Sequence, residues 1–414
     1  MRPIIDCFWS QKFIEIGTLQ LNFQSVVGAI VPVAAWWVVL RDGDLRAPRP
    51  LEVALLAYVA ISFLGVLLGP AGLLTGVADF QRLALPVGFF WIGARVGRDA
   101  RHRHAAAWVL ASYGLVPLLG AGLQLLGYIR PVAGALQSPA DVLRVTGFYH
   151  HPLDITMRAG IGLPFALALA SSNPMPLQRN SMTLWGIVLV LTSWVPLVRS
   201  ALVATLVEAC GFLTFMGRGA LAAGLIVAAA AAAMILPPTR AIVTEAIRPL
   251  SSGSYYELAT GRGVLFAAQA IGFQKATLKE KVIGRGLHST PGINRQYAPM
   301  LLSETGDREL DEGNVGAHNQ YLRVLTESGL VGLLIFGAIL ALGMRDAVLA
   351  ATRSTETIDR TLGMGVLLLL IAMCLYGLSG TPLDLPSIAW PTWFAVGMGS
   401  GIAARRLPDV GEAA

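Results

Sequence analysis

Charged side chains are scarce in this chain of 414 residues, since only 14% are Asp, Glu, Lys or Arg and 55% are hydrophobic. About a quarter of the residues of a soluble globular domain are charged. The mean hydropathy of +0.62 and the repeated long apolar runs therefore predict membrane-spanning helices, with membrane lipids as neighbours. The formal net charge of +6 needs no nucleic acid to explain it, because basic loops orient membrane helices. We expect no nucleic-acid partner.

Cysteine is also rare, with Cys7, Cys210 and Cys374 as the complete set. The last two lie inside apolar runs, which excludes a disulfide framework and a cysteine metal site. The sequence Gly284-Arg285-Gly286 lacks the strand and helix context of a nucleotide-binding motif. An acidic run at 307–312 is interpreted as a solvated loop rather than a divalent-cation site. We therefore expect neither a metal nor another cofactor.

Eleven apolar runs are long enough to be considered as spans, and arginine placement gives them an orientation. Arginines follow the odd-numbered runs, as at Arg41, Arg98, Arg179, Arg218, Arg345 and Arg405. Because basic connections stay in the cytoplasm, the long connection after the eighth run should lie outside. The runs are 24–40, 51–69, 80–97, 105–126, 153–172, 181–197, 200–216, 219–237, 324–343, 361–379 and 385–403.

Residues 4–21 are apolar but carry three charges. We favour a poor extra span, and the alternative is an amphipathic helix on the outer surface. The predicted fold is thus an all-α polytopic membrane protein with about 12 transmembrane helices and one large outer loop that contains helices. Its parts are N-terminal transmembrane helices (1–237), the loop (238–323), and C-terminal transmembrane helices with a short cytoplasmic tail (324–414).

The loop is not a simple basic patch for anionic lipid, because nine Lys and Arg residues between 238 and 317 are matched by eight Asp and Glu. Apolar spacing predicts helices over 241–247 and 263–281. His318 follows the acidic run and begins an amphipathic segment. A histidine can accept a proton from a hydroxyl near neutral pH. The alternative is a histidine that only satisfies the loop. Gly329 and Gly332 would break the helix or permit close packing.

Six further charged residues are candidates for a functional role or an unusual environment. Arg199 lies at a tight outer turn, against the positive-inside trend, and needs an anionic partner such as phosphate; alternatively it snorkels to lipid headgroups. Arg262 begins a predicted helix, whose N-terminus favours anions, or is an ordinary exposed arginine. Arg144, Arg158 and Arg82 rank second. Glu208, inside the seventh run, is expected to pair with a neighbouring helix.

Several of these residues together resemble the bacterial O-antigen ligases, a family related to O-antigen polymerases and protein O-oligosaccharyltransferases. His318-Asn319, nine residues, Gly329, two residues and Gly332 are similar to the ligase signature. The segment from Arg144 through Tyr149 and His151 to Pro152 resembles the Arg…Gly…His-Pro segment of the superfamily. Arg199-Ser200 resembles the Ser/Arg turn that precedes a span in the superfamily. The large-loop pattern of the superfamily is similar to Arg262 followed by a helix and Gly284-Arg285-Gly286. Leu153 departs from the pattern, because many members have Asn there.

The resemblance implies a GT-C-like, metal-independent glycosyltransferase of the bacterial inner membrane whose active site faces the periplasm. The donor would be undecaprenyl-pyrophosphate-linked polysaccharide, and the acceptor a sugar hydroxyl of the lipid A core. Arg199 and Arg262 would neutralise the leaving pyrophosphate. His318 would act as the base with inversion at the anomeric carbon, or would bind the pyrophosphate. Asn319, Arg144, Arg158, Arg82, Tyr149 and His151 would bind substrate.

Two alternatives within the superfamily, polymerase and protein O-oligosaccharyltransferase, differ from the ligase only in the acceptor. A lipid-linked sugar transporter belongs to a different class. A transporter predicts charges near the middle of broken helices. The charges here are expected at the outer ends of the helices, with Glu208 as the exception.

Overall fold

The computed structural model describes residues 12–16, 19–41, 49–70, 72–129, 145–149, 152–235, 240, 262–305 and 316–405, and these residues are mostly helical. Two short strands, β1 (Lys12–Ile16) and β2 (Leu19–Asn22), precede the helices. The helices are α1 (Phe23–Arg41), α2 (Pro50–Leu68), α3 (Leu73–Leu83), α4 (Gly88–Arg98), α5 (Ala100–Ala111), α6 (Leu115–Leu125), α7 (Pro152–Ser172), α8 (Pro176–Trp194), α9 (Arg199–Phe215), α10 (Gly219–Ile235), α11 (Arg262–Gln274), α12 (Leu278–Ile283), α13 (Ser289–Thr305), α14 (Gln320–Arg353), α15 (Thr357–Gly377) and α16 (Pro386–Ala404).

Five helical stretches among these residues are long and apolar enough to cross a membrane: α2, the continuous α5–α6 stretch, α7, α14 and α15. The chain is therefore an α-helical membrane protein. Each of the eleven apolar runs lies on a helix or a pair of helices. The third run is divided between α3 and α4 by a short 3₁₀ turn at Leu85–Val87. Pro86 within this turn has no N–H to continue an α-helix.

The N-terminal segment differs from the expectation. Where a helix over 4–21 was predicted, β1 and β2 pair antiparallel, with Glu15 opposite Gln20 and Ile16 opposite Leu19. The sequence Leu19-Gln20-Leu21-Asn22 alternates apolar and polar residues, which is the period of a strand rather than of a helix. The described residues of this segment therefore form no helical span.

The centre of the helical assembly is α7, whose residues are almost all buried. It packs against α5, α8, α9 and α15. Beside this centre, α4 and α16 approach each other with their backbones in contact. A Cβ added at Gly93 or Gly97 would collide with the α16 backbone, and one at Gly397 or Gly401 with the α4 backbone. Glycines four residues apart on both helices permit this close packing.

Two ends of the assembly can be distinguished by their charges. At one end, the side chain of Arg103 is 1% exposed and pairs with Asp359 of α15, while Arg405 approaches the same carboxylate. Arg49 donates to the Ser400 carbonyl nearby. We call this the basic end. The opposite end carries α11, α12 and α13, and we call it the loop end.

A bend in α14 fixes these loop helices to the assembly. Gly329 has φ 68° and ψ −168°, which interrupts the helix. The Arg285 amide donates to the Thr326 carbonyl and the Gly286 amide to the Glu327 carbonyl, both at 3.0 Å. The Leu287 amide also donates to the Gly65 carbonyl of α2 at 2.9 Å. The loop thus occupies the backbone acceptors that the bend exposes.

The boundaries of the loop elements also differ from the prediction. One helix was predicted over 263–281, but two are present, because Thr277 caps a new helix, α12, and accepts from the Glu280 amide. α14 begins at Gln320, so its first four residues belong to the segment predicted as loop (238–323). The helix predicted over 241–247 and the acidic run at 307–312 lie outside the described residues.

Candidate functional site

The junction between α15 and α16, residues 378–387, brings together side chains from four parts of the chain. Arg262 of α11 donates to the Ser379 carbonyl at 2.6 Å. Asn319 donates to the adjacent Leu378 carbonyl at 3.1 Å. Arg158 of α7 donates to the Ser387 hydroxyl at 2.6 Å, and Arg323 of α14 pairs with Asp384. Three arginines and Asn319 therefore meet at one short segment, and His318 is the residue next to Asn319.

Asn319 is the N-cap of α14, and its position determines where His318 lies. Its side chain accepts from the amides of Tyr321 and Leu322 at 3.0 and 2.9 Å. An N-cap of this kind stabilises a helix by about 1 kcal/mol. His318 precedes the cap and is half-buried. Gln269 of α11 donates to the Ala317 carbonyl at 3.1 Å, and this bond holds the residue before His318 against α11.

His318 has a left-handed backbone, with φ 47°. Among the described residues, the non-glycine residues with positive φ are Leu197, His288 and His318. All three lie at the loop end, in the connections that precede α9, α13 and α14. Such conformations cost roughly 1–3 kcal/mol each and concentrate at functional sites. The backbone strain therefore marks the same end of the molecule as the converging arginines.

Arg262 is the first residue of α11, as the sequence predicted. The helix is held by packing of Val264, Leu265 and Ala268 against Ile293 and Tyr297 of α13. This small apolar cluster is separate from the main core and fixes the direction of α11. Arg262 is consequently presented to the junction together with the N-terminal amides of α11, which favour an anion.

Arg158 and Tyr149 form a buried pair. The guanidinium carbon lies 4.0 Å from the centre of the Tyr149 ring, a cation–π contact. Asp154 lies 3.6 Å from the same arginine, and Arg158 is only 3% exposed. Together with the bond to Ser387, these contacts give Arg158 a role in holding α7 to the junction.

The remaining predicted site residues are more dispersed. Arg199 is the first residue of α9, at the loop end. Arg82 lies on α3 with its side chain 62% exposed, 3.8 Å from Asp79, and makes none of the junction contacts described above. Arg144 and His151 lie outside the described residues, so their predicted roles stay predictions. The structure therefore groups Arg262, Asn319 and Arg158 and leaves Arg82 beside a different cluster.

Sequence reasoning missed that cluster, whose centre is Arg323. Its guanidinium is 3.0 Å from Glu327 and 3.4 Å from Asp79, and it also pairs with Asp384. Its side chain is 12% exposed, so this cation is largely removed from water. His288 lies 3.1 Å from Asp79. The ion pairs of this cluster connect α3, α14 and the α15–α16 junction.

Two sequence signals could have indicated this cluster. Arg323 and Glu327 are four residues apart, which places them on one face of a helix. Glu327 also lies at the start of an apolar run, where an ionisable side chain requires a partner. Asp79 and Asp384 are distant in sequence, and only the packing of α3 and α16 brings them to Arg323.

Glu208 differs from its expectation. It is fully buried in α9, but neither carboxylate oxygen has a hydrogen-bond partner among the described residues. The predicted pairing with a neighbouring helix is therefore wrong for the part of the chain that the structure describes.

The fold and site define a class, an α-helical membrane protein with an arginine- and histidine-containing site at one end of its helices. No protein-family model matches the sequence, and no curated protein matches it significantly.

Proposed function

We propose that this protein is an O-antigen ligase. It transfers a polysaccharide from undecaprenyl pyrophosphate to a sugar hydroxyl of the lipid A core, at the periplasmic face of the bacterial inner membrane. The proposal includes the eleven apolar runs as membrane spans in a GT-C-like arrangement. The observation that supports it most is the junction of α15 and α16, where Arg262 binds the Ser379 carbonyl and Asn319, next to His318, binds the Leu378 carbonyl.

The reaction breaks the bond between the anomeric carbon of the donor sugar and the pyrophosphate oxygen, whose electrons leave with undecaprenyl pyrophosphate. A fixed cation lowers the barrier by stabilising the charge that develops on this leaving group. Arg262 suits this role, since its bond to Ser379 fixes the guanidinium beside the N-terminus of α11. Arg199, which begins α9 at the same end, supplies a second cation.

The attacking group is a sugar hydroxyl, whose oxygen forms the new bond to the anomeric carbon. The proton of this hydroxyl passes to the imidazole of His318, which the Asn319 cap holds at the start of α14. A positioned base contributes about 10²–10⁴-fold in rate. Direct attack with one base inverts the anomeric configuration. If His318 instead binds the pyrophosphate, its loss still lowers the rate.

A lipopolysaccharide gel with a polymer-specific immunoblot tests the proposal in the native host. Replacement of the chromosomal gene by His318→Ala should leave lipid A core without polymer, while polymer accumulates on the undecaprenyl carrier. Arg262→Lys should also reduce transfer, because lysine retains the charge but loses the planar fork of donors. The matched control is His102→Ala, which removes a 70% exposed histidine at the basic end and should leave the pattern unchanged.

Other outcomes point to the other acceptors. Core carrying a single repeat unit would identify a polymerase. Normal polymer on the core, combined with loss of glycan from a glycoprotein, would identify a protein glycosyltransferase. If the His318→Ala pattern is normal for all three products, His318 has no part in the reaction.

A further inference from the structure

Glu208 is a carboxylic acid in a region with no visible counter-charge. Its helix, α9, packs against α7 and α15, two of the helices long enough to cross a membrane. The residue is 0% exposed. Neither of its carboxylate oxygens is hydrogen-bonded, and it forms no ion pair, within the described ranges. Burial without partners is rare for such a group, because native proteins pair nearly all buried polar atoms.

Other oxygen atoms share its surroundings. Thr205 is one turn before Glu208 on α9 and therefore lies on the same face of the helix. The Tyr376 hydroxyl of α15 lies beside Thr205 and Glu208. Both hydroxyl-bearing side chains are fully buried, and neither oxygen satisfies the geometry of a hydrogen bond to the residues described.

A glycine faces this group from the third helix. A Cβ added at Gly160 of α7 would lie 3.1 Å from the Tyr376 hydroxyl oxygen and 3.6 Å from Glu208 Oε2. The two oxygens thus approach the same backbone position from α15 and α9. A hydroxyl and a bare backbone position therefore lie near Glu208, and no Lys, Arg or His of these three helices neutralises it.

An ionised carboxylate buried without a partner costs several kcal/mol. One positive charge balances one carboxylate, whereas a divalent cation would leave an uncompensated charge. Carboxylate and hydroxyl oxygens are suitable ligands for a proton or for a hard cation. We propose that Thr205, Glu208 and Tyr376 form a site for one monovalent cation, either H⁺ or Na⁺, between α7, α9 and α15.

The site is connected to the α15–α16 junction. Tyr376 is one residue before the end of α15, and its carbonyl accepts from the Ser379 amide at 3.1 Å. The Ser379 carbonyl in turn accepts from Arg262. Occupancy of the site therefore supports the position of Arg262. This link to catalysis rests on the proposed function, whereas the binding of the cation does not.

Thermal unfolding of the purified full-length protein in detergent tests the binding. The pH is varied at fixed ionic strength, with NaCl replaced by choline chloride. As the pH rises and Glu208 loses its proton, the melting temperature of the wild type should fall more than that of Glu208→Gln, whose neutral amide needs no cation. At high pH the variant should melt roughly 3 °C or more above the wild type. If Na⁺ is the ligand, NaCl should raise the melting temperature of the wild type to that of the variant. If H⁺ is the ligand, only acidification should do so.

Infrared difference spectroscopy gives a second measurement that does not depend on stability. The carbonyl stretch of a neutral carboxylic acid should appear in the wild type on acidification, or be suppressed by Na⁺, and should be absent from Glu208→Gln. Glu356→Gln removes a 45% exposed carboxylate that pairs with Arg103 at the basic end, and it should retain the wild-type infrared response to pH and Na⁺. Identical pH and Na⁺ profiles in wild type and Glu208→Gln would overturn the proposal. Neither measurement involves glycan transfer, so the site and the ligase function can fail separately.

Discussion

Arg323 is the central cation of the loop end, although the sequence analysis did not single it out. It faces three carboxylates, those of Asp79, Glu327 and Asp384, from three parts of the chain. Glu327 and Asp79 are nearly buried, with side chains 3% and 7% exposed. A buried carboxylate that loses its cation retains the cost of desolvation without the compensating attraction. Arg323 is therefore the cation that approaches all three carboxylates.

Arg323→Gln should destabilise the protein by roughly 3–5 kcal/mol, the usual cost of breaking a buried ion pair. Arg82→Gln is the matched control, because that arginine also approaches Asp79 but is 62% exposed, and its loss should cost only about 0–1 kcal/mol. Thermal unfolding of both variants gives the comparison. Adding Glu327→Gln to Arg323→Gln should recover part of the loss, and equal melting shifts for the two single variants would contradict this account.

At the residue scale, the sequence predicted local features better than distant partners. Arg262 begins a helix as expected, and the helix expected to begin at His318 begins two residues later, at Gln320, because caps and helix starts depend on neighbouring residues. The pairing of Arg323 with Asp79, 244 positions away, depends on how α3 packs and has no local signal. The absence of a partner for Glu208 among the described residues was likewise not predictable from its run.

The bend in α14 is the element that attaches the loop helices to the assembly. The sequence indicated that Gly329 would break the helix or permit close packing, and both occur. A Cβ at this position would lie 2.5 Å from the Gly284 amide nitrogen, in a backbone conformation that L-residues rarely adopt. Gly284 and Gly286 also have positive φ. Gly329 and Gly284 therefore lie at one close contact between α14 and the loop, whereas Gly286 lies against the backbone of Leu68 and Gly69 at the end of α2.

Gly329→Ala should destabilise the docked loop by at least about 1–2 kcal/mol from backbone strain alone, with a further cost from the collision. Gly337→Ala on the same helix is the matched control, since a Cβ there meets no atom within 4 Å among the described residues. It should be neutral or stabilising by up to about 1 kcal/mol. Hydrogen exchange at the Arg285 and Gly286 amides checks this, and unchanged protection in Gly329→Ala would contradict it.

The division of the predicted 263–281 helix into α11 and α12 was not recognised because apolar spacing continued across it. The actual signal is Thr277 followed three residues later by Glu280, which forms a capping box. The amide of Thr277 lowers the pKa of Glu280 by hydrogen bonding to its carboxylate. A lowered pKa means that this stabilisation is present above the ordinary carboxyl pKa and is lost as the pH falls through the lowered value.

Thr277→Ala should therefore weaken α12 by about 1 kcal/mol at neutral pH and by less at acidic pH, where Glu280 is protonated in both forms. Hydrogen exchange of the α12 amides in wild type and variant measures both values. Thr352→Ala, which removes an exposed hydroxyl bonded to the Val348 carbonyl, is the control and should leave α12 unaffected. A Thr277→Ala effect that does not diminish with acidification would exclude a contribution from the bond that the Thr277 hydroxyl donates to the Glu280 carboxylate, since the amide of residue 277 still donates to Glu280 in the variant.

At the scale of the whole molecule, hydrophobicity predicted the helices well. Each of the eleven runs lies on helix, because about 18 apolar residues in succession permit few other structures in a membrane. The N-terminal hairpin was missed because its apolar residues were read as a span, although the alternation of Leu19 to Asn22 favoured a strand. The assembly has a basic end and a loop end, and the positive-inside rule predicts that the basic end faces the cytoplasm.

Cysteine labelling tests this orientation. In a variant lacking Cys7, Cys210 and Cys374, a cysteine is introduced either by Lys279→Cys on α12 or by His102→Cys at the basic end, both exposed positions. A membrane-impermeant thiol reagent added to cells with a permeabilised outer membrane should modify the first variant directly and the second only after lysis. Modification of both from the same side would show that the two ends are not separated by the membrane.

The most direct test of the central claim uses the purified protein, a polysaccharide on undecaprenyl pyrophosphate, and lipid A core, in buffer containing EDTA. The wild type and His102→Ala should attach polymer to the core, whereas His318→Ala and Arg262→Gln should reduce transfer at least about 100-fold. Absence of transfer by the wild type, or equal transfer by wild type and His318→Ala, would contradict this claim.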